Sequence, residues 1–170
     1  MPFTPFHFGP GATVKGLSPR YFSFSVFCFA QVIMDLEVPF LMARNADRWH
    51  GWSHTLVGAT VMGMVSLAIG WPVCRRLLRW WSAQPDVPLK EYYNPIPEIL
   101  AVPAITGAFV GTFSHLFIDA IMHSDVRPLW PFSDSNGLFG LIGAGTMHGI
   151  CFVLGVIGAL ICARVRSPNL

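Results

Sequence analysis

The chain has 170 residues, of which 53% are hydrophobic and only 12% charged, and its formal net charge is +2. A soluble domain carries roughly a quarter charged residues, so a water-soluble globule is excluded. A charge of +2 without Lys/Arg clusters interleaved with aromatics also excludes a nucleic-acid surface.

In chain order, residues 8–17 read as a short helix despite their glycines, because Pro10 fits a first helical turn. Residues 21–43 form an apolar run interrupted by Asp35 and Glu37, followed by the polar, aromatic loop 44–53. A span is expected over 54–74, within which residues 55–74 carry no charge. Residues 75–97 are basic, aromatic and Pro-rich, the composition of an interfacial segment. Spans are expected again over 98–123 and 138–163, separated by a turn-rich loop. About 20 apolar residues cross a hydrocarbon core. The expected fold is therefore all-α: one integral membrane domain over residues 1–170, a bundle of four long transmembrane helices plus the short N-terminal helix. The four cysteines have no CxxC spacing and read as small hydrophobes.

Lys and Arg set the orientation. Lys15, Arg20, Arg75, Arg76, Arg79, Lys90, Arg164 and Arg166 fall on one side, and Arg44, Arg48 and Arg127 on the other. The positive-inside bias puts the first set in the cytoplasm.

The ionisable residues within the spans are not spread over all depths. His7, Asp35, His50, His54, His115, Asp119 and His123 all fall near the non-cytoplasmic ends of their segments, and only His148 lies deeper. His115, Asp119 and His123 follow one another at steps of four, which puts them on one helical stripe. His50 and His54 share this spacing if their helix begins early. Imidazole and carboxylate together suit zinc or another first-row divalent ion. A carboxylate in hydrocarbon costs ~2.5–3.5 kcal/mol on the insertion scale, so a compensating cation is physically reasonable. Candidate ligands outnumber the three protein ligands usual for one catalytic zinc, which leaves room for two ions. Asp35 and Glu37 are roughly 200° apart on a regular helix, so one ion does not take both. Pro39 cannot donate to the carbonyl of Asp35, which marks a kink and a freed carbonyl as a further ligand. Glu37 is then a base, a second ligand or the partner of an arginine, and Arg127 an anion holder. His148 reads as a packed histidine, Trp49 and Trp52 as an aromatic belt, and Asp125 and Asp134 as turn residues.

An early His in MPFTPFH, the acidic pair of MDLE, HGWSHT opening a span, SHLFIDAIMH closing another, and the following RPLWP occur in this order over most of the chain. In this the sequence resembles the membrane-bound metal-dependent hydrolases, small inner-membrane proteins of bacteria and archaea. The resemblance implies an inner-membrane location. It also implies metal-site roles for His7, Asp35, His54, His115 and Asp119 first, and for His50 and His123 next. Two positions depart from the family pattern: Met34, where proline often precedes the aspartate, and Gly51, where arginine often follows the histidine. A more distant similarity to zinc-dependent phospholipase C, in its HxxxD pairing, implies a phosphoester-containing lipid or amphipathic substrate. Intramembrane acids and histidines equally suit a metal or proton transporter, a structural metal, or haem. These readings stay open at the level of sequence.

Overall fold

The computed structural model describes residues 5–84 and 98–166. A 3-10 turn, Pro5–His7, leads into α1 (Phe8–Leu17); α2 (Phe24–Met34) and α3 (Glu37–Ala43) follow. A second 3-10 turn, Trp52–His54, precedes α4 (Leu56–Val65), which continues through a π turn, Ser66–Gly70, into α5 (Trp71–Ala83). The chain closes with α6 (Ala101–Met122) and α7 (Ala144–Arg166). Four stretches are long and apolar enough to cross a membrane: Phe24–Ala43, Leu56–Ala83, Ala101–Met122 and Ala144–Arg164. The architecture is an all-α polytopic bundle with a short N-terminal helix.

Local chemistry sets the breaks. Ser23 caps α2 by accepting from Val26 N, and Thr55 caps α4 by accepting from Gly58 N. At the Asp35–Leu36 break the carbonyl of Asp35 is not left free. Val38 N donates to it at 3.1 Å, closing a tight turn in place of the bond Pro39 cannot make. The segment 138–143 is not helical: Gly140 takes φ +79, a region that favours glycine. Its N–H donates to Ile121 O at 3.0 Å, so the last span starts at Ala144. The second span runs well beyond residue 74, to Ala83. Its 28 residues extend about 42 Å at 1.5 Å per residue, more than a hydrocarbon core of roughly 30 Å. The end carrying Arg75, Arg76, Arg79 and Trp80 therefore lies at the interface. There Arg75 and Arg79 both pair with Glu98, and the two guanidinium groups hold its carboxyl below the usual range.

The helices meet along seams of small residues, which allow close approach where lipid supplies no hydrophobic drive. α6 is the hub, packed on both α2 and α4, while α1 lies along α7. A Cβ on Gly107 would stand 2.5 Å from Ser23 O, and one on Gly111 2.7 Å from Ala30 Cβ. That approach brings the middle of α2 within bonding reach of the turn of α6 that carries His115. On the other seam, a Cβ on Gly158 would stand 2.3 Å from the backbone of Ala12 and Thr13, while Gly149 has nothing within 4 Å. Gly158→Ala should therefore destabilise the detergent-solubilised protein by ~1–3 kcal/mol, seen as a lower Tm. Gly149→Ala should leave Tm unchanged or raised by the equivalent of ~0.5–1 kcal/mol.

Candidate metal centre

His115 and Asp119 lie one turn apart near the C-terminal end of α6, facing the bundle interior. Asp35 ends α2, and His54 ends the 3-10 turn before α4. These are three different segments, yet one ligand atom from each of the four residues fits within a mutual separation of 4.8 Å. His115 Nε2 is 3.1 Å from Asp119 Oδ2 and 3.2 Å from Asp35 Oδ1; His54 Nε2 is 3.2 Å from Asp119 Oδ2 and 4.0 Å from Asp35 Oδ1. Both imidazoles are wholly buried.

These separations are those of donors around a common point. Two donors on a tetrahedral first-row ion, each at ~2.0–2.2 Å, stand about 3.3–3.6 Å apart. Neither Nε2 satisfies hydrogen-bond geometry toward the carboxylates, and both are buried polar atoms without a partner. Buried nitrogens are seldom left this way, and here they are aimed into the space the carboxylates border.

The outer nitrogens are fixed. His115 Nδ1 is 2.7 Å from Gln31 Oε1. The Gln31 amide nitrogen donates to Gly111 O and Ser114 Oγ, so its oxygen faces the ring and His115 Nδ1 carries the proton. His54 Nδ1 is 3.0 Å from Glu37 Oε1. Both Glu37 oxygens are engaged, by His54, Ser53 Oγ, Gly51 N and Ser53 N. Protonation at Nδ1 leaves the Nε2 lone pair pointing inward, the tautomer a metal ligand needs. The cluster is able to coordinate a metal ion.

Around it lie the remaining candidates. His50 is not in helical register with His54, because the helix begins only at Leu56, after the Thr55 cap. The 3-10 turn nevertheless brings the two rings to 4.7 Å. His50 Nδ1 is held by Asp125 Oδ1 at 2.9 Å, and its Nε2 is 3.9 Å from Asp119 Oδ2. His123 lies past the end of α6 in extended conformation, off the helical stripe, yet its Nε2 is 3.8 Å from Asp119 Oδ1. The Nε2 of His7 is 3.5 Å from the same oxygen. Five of the six histidines thus surround Asp119. The sixth, His148, packs its ring on Phe6 at 5.0 Å.

Two expectations change. Glu37 pairs with a histidine, not an arginine, so it orients His54. Asp125 is no ordinary turn residue, since its Oδ2 also accepts from Trp49 N and His50 N. Burial works to raise the Asp125 pKa, but the His50 hydrogen bond and the backbone donors outweigh it and hold the carboxyl below its usual range. Arg127 pairs with Asp134 in the following loop. Gln31 was missed, although it is four residues before Asp35 in an apolar run and so on the same helix face. Nothing in the sequence marks Asp125 beyond its nearness to His123.

The chain matches the family described as YdjM inner membrane protein over residues 12–168, and it belongs to that family. No curated protein and no solved structure matches it. Loss of a residue that orients a ligand typically costs 10–100-fold in metal affinity. Gln31→Leu and Glu37→Ala should each weaken zinc binding by about that much in chelator competition. Unchanged affinities would contradict the orienting role.

Proposed function

We propose that this family member is a metal-dependent hydrolase of the inner membrane, acting at the membrane face on an amphipathic ester or phosphoester. Asp35, His54, His115 and Asp119 are the principal ligands of a divalent ion, zinc by the mixed nitrogen and oxygen donor set. The observation that carries this reading is the convergence of two buried, unpartnered Nε2 atoms and two carboxylates on one point. A divalent ion bound there supplies Lewis acidity, enough to bring the pKa of water towards ~7. Glu37 and Gln31 keep the imidazoles in the ligating tautomer. Asp35, the most exposed of the four carboxylate and imidazole side chains at 12%, marks the side from which substrate approaches.

The lipid preference rests on an apolar groove of about 870 Å³ between α6, the start of α4 and the 128–138 loop. Its walls include Leu116 and Ala120, each about 100° round α6 from His115 and Asp119 at the same level of the helix, and Pro128 and Leu129, which directly follow Arg127. Its α6 wall continues into Phe113 and Phe117, which are exposed on the face a bilayer covers. A hydrocarbon tail fits this groove. Arg127, freed from Asp134, would hold an anionic head group. The charge bias of the loops puts the centre on the non-cytoplasmic side. A conduit for metal or protons needs ionisable groups at successive depths, and among the described residues the set Asp35, His54, His115 and Asp119 and the set His50, His123 and Asp125 lie at one end of the bundle.

The test is hydrolysis by zinc-loaded, full-length protein across phospholipids, lipid phosphates and carboxylic esters. Turnover is expected, and Asp119→Ala should remove it more than ~100-fold, beyond what loss of an orienting residue costs. A fully loaded protein that hydrolyses none of these substrates would contradict the proposal. Gly137 lines the groove and has open space at its Cβ. Gly137→Trp should therefore raise KM for long-chain substrates and spare short-chain ones.

A further inference from the structure

The four-residue set uses one oxygen of Asp119. His54 and His115 both address Oδ2, at 3.2 and 3.1 Å. Oδ1 points elsewhere, and two other imidazole nitrogens face it: His7 Nε2 at 3.5 Å and His123 Nε2 at 3.8 Å. His7 is 2% exposed, and neither of its ring nitrogens has a hydrogen-bond partner. It comes from the N-terminal segment. His50 closes the gap between the two oxygens. Its ring packs 4.5 Å from His123 and 4.7 Å from His54, and its Nε2 is 3.9 Å from Asp119 Oδ2.

Three lone histidines beside one carboxylate could be a packed ring of aromatics. Two features argue otherwise. His50 is built like the two principal ligands: its Nδ1 is tied outward to a side-chain oxygen, so its Nε2 lone pair faces Asp119. Moreover, a single carboxylate cannot satisfy five imidazoles by hydrogen bonds, because its two oxygens offer about four lone-pair sites, and the inward nitrogens of His7, His54 and His115 are in fact unpaired.

We infer that Asp119 is shared by two cations, its Oδ2 serving the Asp35/His54/His115 subsite and its Oδ1 a second subsite drawn from His7, His50 and His123. This rests on the metal-dependent reading above and makes the centre dinuclear. Asp125 acts on His50: its Oδ1 faces His50 Nδ1, and its Oδ2 accepts from the backbone N–H groups of Trp49 and His50, so it positions His50. In a site of this kind two ions clamp the attacking and leaving oxygens of an in-line displacement. That geometry suits phosphoesters.

The experiment counts zinc in the full-length, detergent-solubilised protein by elemental analysis. Cobalt replaces zinc in parallel, and its EPR signal reports magnetic coupling. Wild type should hold two ions per chain, and its cobalt form should show the weakened signal of a coupled pair. His123→Ala and His7→Ala should each hold one ion, with an uncoupled cobalt spectrum. Asp35→Ala should lose the other ion, and Asp119→Ala should lose both. Circular dichroism and a monodisperse elution profile establish that each variant folds. If the variants fail that check, the wild-type count and its coupling decide alone. One uncoupled ion in wild type, or two retained by His123→Ala, overturns the shared carboxylate. A single ion that Asp35→Ala removes would still leave the hydrolase reading standing, whereas no bound ion at all removes both.

Discussion

Everything at the functional end of this protein is arranged around the carboxylate of Asp119. It is nearly inaccessible to water and lies one residue turn from the end of a membrane span. A charge in that position is expensive unless opposite charge or hydrogen-bond donors surround it. No lysine or arginine is in contact with it among the described residues. What surrounds it is imidazole, from the N-terminal turn, the 44–55 connection, α6 and the residue just past its end. Imidazoles aimed lone-pair-first at a carboxylate do not neutralise it, but they complete a ligand shell once a divalent ion sits between them.

The rest of the fold serves that arrangement. Gly107 and Gly111 let α6 approach α2 closely enough for Gln31 to bond His115 across the seam. The break after Met34 turns Asp35 inward and sends Glu37 out to reach His54 and the 51–53 backbone. A regular helix would hold those two carboxylates on opposite faces; the turn at Asp35–Leu36 gives each its own task. The Thr55 cap fixes where α4 begins, and so leaves His54 in a tight turn whose ring direction Glu37 can set. The loop after α6 is likewise committed: Asp125 pins the His50 backbone and ring together.

Much of this could be read from the sequence because the bilayer enforces simple rules. Charge-free runs of span length gave the four helices, and the confinement of His and Asp residues to one end of those runs picked out the seven residues that now surround or border the centre. The stepwise spacing of His115 and Asp119 translated directly into adjacent side chains. What the sequence hid was backbone irregularity. His123 lies beyond the helix end, His50 is outside any helix, and residues 138–143 turn before the last span because Gly140 can take a left-handed conformation. Roles that depend on tertiary pairing were also hidden. Glu37 looked like a base or an arginine partner, and Asp125 like a turn residue, until each was seen bonded to a histidine Nδ1. Gln31 was legible in principle, as a lone amide in an apolar helix one turn before Asp35.

The central claim is that imidazoles and carboxylates, not thiols, hold a cation at this end of the bundle. X-ray absorption at the zinc edge of the purified full-length protein tests it most directly. The account predicts a first shell of nitrogen and oxygen only, at about 2.0–2.2 Å, with the outer-shell scattering of imidazole rings. A shell containing sulfur at about 2.3 Å, or zinc with no ordered imidazole around it, would contradict it.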